Sequence, residues 1–166
     1  MNSLKKIRIN LLQIENIYYL FIIIFIFFLD RFSKIQILKS INENKIFIND
    51  YINFDLIWNT GIGFGLLSSS STIIYNLITL LIGTIITILI FISLMSNKIE
   101  KLIYCIIIGG AVGNLYDRIN YHAVPDFIDL HYNNFHWFTF NVADMFITIG
   151  VSAFLIKGYF IKKLNS

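Results

Sequence analysis

Residues 109–144, GGAVGNLYDRINYHAVPDFIDLHYNNFHWFTFNVAD, decide the fold of this chain, because polar sequence here joins two long apolar runs. The stretch holds four of the ten acidic residues and all three histidines. An ionisable group inside lipid costs about 2.5–3.5 kcal/mol on insertion scales unless it is paired or hydrated, so such groups next to apolar runs call for a reason. The stretch is therefore the first candidate for a functional site.

The composition of the 166-residue chain is typical of a membrane protein. Hydrophobic residues make up 57% and charged residues 14%, against about a quarter charged in soluble domains, and the mean hydropathy is +0.72. These values argue against an ordinary soluble protein. The single cysteine, Cys105, lies in an apolar run, which excludes an intramolecular disulfide and predicts a buried apolar role.

Four apolar runs predict four transmembrane helices, since roughly 20 apolar residues cross the hydrocarbon core of a bilayer. The predicted spans are approximately 14–33, 73–95, 102–119 and 142–161. The first run also fits a cleaved signal peptide, but no small-residue cleavage site follows it, and Asp30 and Lys34 stand where cleavage would occur. In the third run, Gly109 and Gly113 predict a face that lets helices approach closely.

Residues 35–67 differ from the spans and predict a β-rich segment outside the membrane. From Ile46 to Trp58 the even positions are mostly apolar and the odd positions mostly polar, the period-two pattern of a half-buried strand. Asn49 and Asp50 favour a bend. Three glycines in WNTGIGFGLL, residues 58–67, disfavour regular structure and let the backbone approach another group closely.

The distribution of charge predicts the orientation in the membrane. Four spans place both termini on the same side, which carries eight of the 13 Lys and Arg residues and two of the ten acids, a net charge of +6. The opposite side has a net charge of −3. Because loops rich in Lys and Arg stay in the cytoplasm, we expect cytoplasmic termini and a polar stretch at the outer face.

Two aspartates of the opening stretch are candidates for acid and base chemistry. Asp126 precedes Phe127 and Ile128, an apolar setting that favours a protonated carboxyl, whereas Asp144 begins the fourth span just after Asn141, a good helix N-cap. Each alone is more simply interpreted as a loop or capping acid. Together they form the pair that activation of water requires, with one carboxylate taking a proton and one carboxyl donating it.

The other outer charges are first interpreted as structural. Asp30 and Lys34, one helical turn apart, predict an ion pair that anchors the first helix. Asn114, Asp117 and Arg118 are expected to satisfy one another and to tie the outer end of the third helix to a loop, a structural or substrate-positioning role rather than a catalytic one.

A histidine-rich group raises the alternative of a metal site. His131 and His136 lie near Asp129, but their spacing fits no short metal motif, and the aromatic residues around them are better explained by an interfacial belt. We therefore expect no metal. The sequence also contains neither a phosphate-binding P-loop nor a G-x-S-x-G nucleophile motif.

Four sequence blocks, with Asp30 and Lys34, give the chain a resemblance to the lipoprotein signal peptidase family, the type II signal peptidases of bacteria. The blocks are NTGIGFG at 59–65, GGAVGNLYDR at 109–118, VPDFIDLH at 124–131 and FNVAD at 140–144. They stand in the family's order, on a chain of the family's length and four-span layout.

The resemblance implies an aspartic endopeptidase of the bacterial inner membrane, which removes the signal peptide from prolipoproteins whose lipobox cysteine carries a diacylglyceryl group. It places the catalytic pair at Asp126 and Asp144. Residues that shape the site or hold substrate are then Asp30, Lys34, Asn59, Gly61, Gly110, Asn114, Asp117, Arg118 and Asn141. The implied fold is an all-α membrane protein of four transmembrane helices with a small extracytoplasmic β-sheet at the membrane surface.

The expected partners are lipid-modified prolipoproteins and membrane lipid, with no nucleic acid and no cofactor, and the protein is expected to act as a monomer. The alternative is a non-enzymatic four-span protein, such as a transporter subunit or assembly factor, whose outer acids bind an ion or a partner. Transporters place ionisable groups near the bilayer midplane, whereas here they gather at one rim, which favours the enzyme.

Overall fold

The structure is a computed structural model that describes residues 15–40, 45–61 and 72–164. These residues form four long helices and a four-stranded antiparallel sheet of order β1-β2-β3-β4. The helices are α1 (Glu15–Ser40), α2 (Thr72–Met95), α3 (Lys98–Tyr121) and α4 (Val142–Leu164). The strands are β1 (Ile46–Phe47), β2 (Ile52–Asn59), β3 (Val124–Tyr132) and β4 (Phe135–Phe140).

Three helices of the described chain are long and apolar enough to cross a membrane, namely Thr72–Met95, Lys98–Tyr121 and Val142–Phe160. They contain most of the three later spans predicted from the sequence. Helix α1 is 26 residues long, but three charged residues, Asp30, Arg31 and Lys34, are buried in its second half. Of the predicted fold, the helical class and the small antiparallel sheet are confirmed.

The boundary predicted at residue 35 is wrong, because α1 continues to Ser40 and residues 35–40 are helical rather than β-rich. Asp30, Lys34 and Ile37 are all buried and follow one another at three or four residues, so they share one helix face. That face packs against α3 and favours continuation of the helix. Residue 14 of the predicted first span and residues 41–44 and 62–67 of the predicted β-rich segment lie outside the described residues.

The alternating run that begins at Ile46 forms two strands rather than one. The Asn49 side-chain oxygen accepts hydrogen bonds from the backbone N–H groups of Tyr51 and Ile52, at 2.9 and 3.0 Å. An asparagine that bonds to the backbone two or three residues later turns the chain, as expected at this position. Strand β1 consequently folds back on β2 in antiparallel pairing.

A β-bulge in β2 changes which side chains face the helices. The register shifts between Phe54 and Ile57, where β2 has one residue more than β3. The alternation predicted from the sequence is therefore out of phase beyond the bulge. Trp58, expected on the packed face, is 46% exposed, and Asn59 is buried beside Asp126.

Residues 124–140, which the sequence pattern did not distinguish from a loop between the third and fourth spans, form the hairpin of β3 and β4. Asn133 occupies the turn with φ of 51°, a left-handed conformation that asparagine tolerates. The first residues of β3, from Val124 to Phe127, are buried. The hairpin thus brings Asp126 into the interior, next to the helices.

Glycines on two sides of α3 bring three helices together. A Cβ atom on Gly109 would lie 2.9 Å from a side-chain carbon of α1, and one on Gly113 would lie 2.6 Å from Asp30 Oδ2. On the neighbouring side, a Cβ on Gly110 would lie 2.5 Å from the Ala143 carbonyl oxygen of α4. The close helix approach predicted from Gly109 and Gly113 is confirmed, with α1 as the partner.

Candidate active site

The predicted site residues meet where α1 and α3 approach the first turn of α4 and the strands β2 and β3. Nine of them form a buried group, called the polar cluster below, in which no residue is more than 7% exposed. Its members are Asp30, Lys34, Asn59, Asn114, Asp117, Arg118, Asp126, Asn141 and Asp144. Because buried charges are stable only when paired and hydrogen-bonded, each contact in the cluster constrains the next.

Strand β3 holds Asp126 with an amide donor on each carboxylate oxygen. Asn59 Nδ2 donates to Oδ2 at 2.8 Å, and Asn141 Nδ2 donates to Oδ1 at 2.5 Å. Burial, followed by the nearby charge of Asp144, raises the pKa of Asp126 from 3.8 to about 6, although the two amides favour the ionised form. Near neutral pH this carboxyl is therefore close to the point at which it exchanges its proton.

A capping box holds Asp144 in the first turn of α4. The Asn141 side-chain oxygen accepts the Asp144 N–H at 3.1 Å, and Asp144 Oδ2 accepts the Asn141 N–H at 3.2 Å. The N-cap predicted at Asn141 is confirmed. Asn141 also donates to Asp126, so a single residue bonds to both aspartates and holds them as neighbours.

Lys34 lies at the centre of the cluster and uses all three of its protons. Its Nζ donates to Asp30 Oδ2 at 2.8 Å, to Asn114 Oδ1 at 2.9 Å and to Asp117 Oδ2 at 2.7 Å. The predicted ion pair of Asp30 and Lys34 is confirmed. Because Lys34 binds the Asn114 oxygen, the Asn114 amide points its nitrogen at Asp144 Oδ1, 2.8 Å away.

The expected pairing of Asp117 with its neighbour Arg118 is wrong. Asp117 pairs with Lys34 and with Arg31, whose Nη2 lies 2.6 Å from Asp117 Oδ1. The reason is helix geometry, since consecutive residues on a helix do not face each other. Arg118 points elsewhere and donates to the Asn114 carbonyl oxygen at 3.2 Å.

Arg118 also reaches Asp126 through two intervening residues. Arg118 Nη2 donates to the Gly61 carbonyl oxygen at 2.5 Å, and the Gly61 N–H donates to Asn59 Oδ1 at 2.8 Å. Asn59 therefore turns its amide nitrogen toward Asp126. This chain of contacts connects Arg118, Gly61 and Asn59 to the Asp126 carboxylate.

Two contributors to the site were missed from the sequence. Arg31 is a second cation for Asp117, and its guanidinium also lies 5.0 Å from the ring centroid of Tyr116. Its sequence signal is a cation beside Asp30 in an otherwise apolar run. The Ala143 N–H donates to Asp30 Oδ1 at 3.0 Å, and no side-chain pattern reveals a backbone donor.

The histidine-rich group lies apart from the polar cluster. Asp129 is three residues from Asp126 along β3, so it faces the opposite side of the sheet. His136 Nδ1 lies 2.7 Å from Asp129 Oδ2, and the His131 and His136 rings stack 5.4 Å apart. In the part of the chain that the structure describes, no three His, Cys, Asp or Glu residues are arranged to hold a metal ion.

Comparisons with known proteins agree with this arrangement. A family model described as signal peptidase (SPase) II matches residues 22–160. The chain is 49% identical to the lipoprotein signal peptidase of Pelagibacter ubique (strain HTCC1062) over 94% of this chain and 98% of the relative. It is 40% identical to that of Buchnera aphidicola subsp. Schizaphis graminum (strain Sg) over 86% of this chain and 94% of the relative.

A solved structure is also similar. A bacterial membrane enzyme determined by the in meso method at 2.3 Å resolution superposes with a TM-score of 0.75 and 25% identity, over 90% of this chain and 92% of that one. A second one, at 1.9 Å resolution, gives a TM-score of 0.68 and 26% identity over 84% and 91% of the two chains. Sequence, family model and fold agree, and the chain belongs to the signal peptidase II family.

Proposed function

We propose that the protein is a membrane aspartic endopeptidase that removes the signal peptide from diacylglyceryl-modified prolipoproteins at the lipobox cysteine. Family membership supports the substrate class. The observation that carries the catalytic assignment is the bonding of both Asp126 and Asp144 to Asn141 inside the polar cluster. No observation favours the non-enzymatic alternative of ion or partner binding by the same acids.

The charges of the cluster support one proton shared by the two aspartates. Four carboxylates, those of Asp30, Asp117, Asp126 and Asp144, lie with three cations, Arg31, Lys34 and Arg118. Fully ionised, this buried group has an excess negative charge. A single proton on the Asp126 and Asp144 pair makes it neutral, which a low-dielectric interior favours.

The proposed reaction is direct hydrolysis by water held between the two aspartates. Asp144 takes a proton from water, whose oxygen attacks the carbonyl carbon of the scissile peptide bond, while Asp126 donates its proton to the carbonyl oxygen. When the tetrahedral intermediate collapses, the C–N bond breaks and the proton on Asp144 passes to the leaving nitrogen. The carbonyl proton returns to Asp126, so the pair ends with one proton.

The division of labour follows from the surroundings of each acid. Asp126 lies between apolar neighbours, and its pKa of about 6 suits a proton donor. Asp144 lies at the N-terminus of α4 and accepts the Asn141 N–H, and this end of a helix favours a negative charge. The aspartate at the helix end is thus the base.

We further propose four spans, with cytoplasmic termini and the polar cluster at the outer face of the bacterial inner membrane. Helix α1 is the remaining span, the first along the chain, because it exposes Ile17, Phe21, Phe25 and Phe28 at 54–65%, one side chain per turn. Such an apolar stripe is stable against lipid. The β4 residues Phe135 and Trp137, 61% and 60% exposed, suit an aromatic belt and so a sheet at the membrane surface, where a lipidated substrate arrives.

The test is cleavage of a synthetic lipobox peptide by the purified protein. We expect cleavage before the modified cysteine when it carries a diacylglyceryl group, and little or none without it. Asp126→Asn and Asp144→Asn should each abolish turnover while the protein stays folded, because an amide keeps the shape of the carboxyl but accepts no proton. Asp129→Asn, on the opposite face of the same strand, is the matched control and should retain activity.

Two results would overturn the assignment. One is wild-type turnover by either asparagine variant at the paired positions. The other is loss of turnover on addition of a metal chelator, which would replace the aspartate pair with metal-assisted hydrolysis.

A further inference from the structure

An apolar cavity of about 400 Å³ opens between α1, α2 and α3 at the end of the bundle opposite the polar cluster. Its apolar lining includes Ile17, Leu20, Ile23, Ile90, Ile108 and Val112. The lining also includes one charged side chain, Lys101, and one amide, Asn16. Both lie at the end of the cavity where α1 and α3 begin. The cavity is therefore an apolar channel with a cation at its mouth.

Lys101 is the unusual member of this lining. It is 8% exposed, and its Nζ donates to Asn16 Oδ1 at 3.1 Å and lies 5.3 Å from the centroid of the Tyr19 ring. Within the described ranges no carboxylate forms an ion pair with it, whereas Lys98 pairs with Glu15 at 2.7 Å and Lys157 with Glu100 at 2.6 Å. A buried ammonium with neutral partners favours an anionic ligand.

The length of the cavity matches one leaflet of a bilayer. Lys101 and Val112 are eleven residues apart on α3, which at 1.5 Å per residue is about 16 Å. Half of a hydrocarbon core of about 30 Å is about 15 Å. The solvent-exposed pair of Lys98 and Glu15 marks the headgroup level at the mouth, so the channel ends near the bilayer midplane.

We propose that this cavity binds one anionic phospholipid, with the phosphate at Lys101 and an acyl chain between α1 and α3. The net negative charge of such a lipid complements an ammonium that has no carboxylate partner among the described residues, and basic pockets between transmembrane helices are a known form of headgroup recognition. With the topology proposed above, the lipid belongs to the inner leaflet. It is thus distinct from the lipidated substrate, whose scissile bond must reach the polar cluster.

The test compares phosphatidylglycerol with phosphatidylcholine of identical chains, added to the purified protein in detergent, with bound lipid measured by native mass spectrometry. We expect the wild type to retain phosphatidylglycerol about fivefold more, since one lysine at an anionic membrane surface contributes about 1 kcal/mol. Lys101→Gln should abolish this preference, and Lys101→Arg should keep it. Lys98→Gln, which removes a paired lysine at the same end, should also keep it.

Several outcomes would contradict the proposal. They are equal retention of the two lipids by the wild type, an unchanged preference in Lys101→Gln, or an equal loss of preference in Lys98→Gln. Displacement of bound phosphatidylglycerol by millimolar inorganic phosphate would also contradict it, because the site would then bind an anion without an acyl chain. Should Lys101→Gln not fold, Leu20→Trp narrows the channel without changing charge, and unchanged retention of phosphatidylglycerol by that variant would contradict the proposal as well.

Discussion

At the scale of the residue, the buried side chains of the candidate site orient one another. Lys34 fixes the direction of the Asn114 amide, and Asn114 in turn contacts Asp144. Arg118 bonds to Gly61, whose N–H fixes the direction of the Asn59 amide, and Asn59 in turn donates to Asp126. Sequence reasoning found these residues because their types and blocks resemble a known family, but their pairing depends on side-chain directions that spacing alone does not give.

Asn141 offers a way to separate stability from catalysis. Asn141→Ala removes the cap of α4, a loss of about 1 kcal/mol, and also the donor to Asp126. Asn141→Ser keeps a capping oxygen but has no amide to reach Asp126. We therefore expect the alanine variant to lower both the melting temperature and the cleavage rate, and the serine variant to lower mainly the rate. A serine variant with full activity would show that the Asp126 contact is dispensable.

The pKa of Asp126 predicts how stability and activity change with pH. Because its pKa rises on folding from 3.8 to about 6, the folded protein binds more protons between these values, and stability falls as pH increases through this range. Asp126→Asn should remove this fall, which amounts to about 3 kcal/mol at most. The difference appears in melting temperatures of the two proteins at pH 4 and pH 7.

The cleavage rate should also depend on pH through the Asp126 carboxyl. In the proposed mechanism turnover requires one proton on the aspartate pair, so the rate should decline at pH values well above 6 and also in acid, where both aspartates are protonated. A rate that rises continuously to pH 9 would contradict a protonated acid in the mechanism.

At the scale of the element, the helices follow from the sequence more directly than the sheet does. Long apolar runs predict α2, α3 and α4, but Asp126 and Phe127 interrupt the alternation of apolar and polar residues in β3, so the sequence pattern did not reveal the hairpin. The sequence likewise gives no signal for the bulge between Phe54 and Ile57, because an extra residue changes only which residues of β2 and β3 pair. The position of Asn59 beside Asp126 therefore follows from the pairing of the strands and not from the sequence pattern.

The contact of α3 with α4 depends on Gly110. Gly110→Ala would place a methyl group 2.5 Å from the Ala143 carbonyl oxygen, so the first turn of α4, which carries Asp144, must shift. We expect a loss of about 1–3 kcal/mol in unfolding free energy, as for overpacked cores, and a lower cleavage rate. Gly158→Ala, on α4, is the control, since no neighbouring side chain or other element of the described chain lies within 4 Å of its added Cβ, and it should be neutral or slightly stabilising. Equal behaviour of the two variants would contradict this account.

At the scale of the whole molecule, the two ends of the bundle differ in chemistry. One end buries the polar cluster, whereas the other carries the exposed pair of Lys98 with Glu15 and the pair of Lys157 with Glu100. Sequence predicted this polarity from the charges of the loops. It did not predict the burial of the outer charges, because partners such as Lys34 and Asp117 are far apart in the chain.

The proposed orientation can be tested with reporter fusions. A reporter after Ser96, between α2 and α3, should lie in the cytoplasm, and one inserted at Asn133, in the β3–β4 turn, should lie outside. Alkaline phosphatase, which is active only outside the cytoplasm, and green fluorescent protein give opposite readouts at each position. A cytoplasmic Asn133 would place the polar cluster on the wrong side for a secreted substrate.

The buried amides around the aspartate pair also make this site observable by magnetic resonance. Asn59 and Asn141 each donate to Asp126, and Asn114 donates to Asp144, so their side-chain nitrogen and proton frequencies depend on the charge of the carboxylate they touch. In protein labelled with ¹⁵N at asparagine alone, three buried amide signals would record where the proton resides as the pH changes. The resting enzyme then reports its own protonation state in the absence of any peptide.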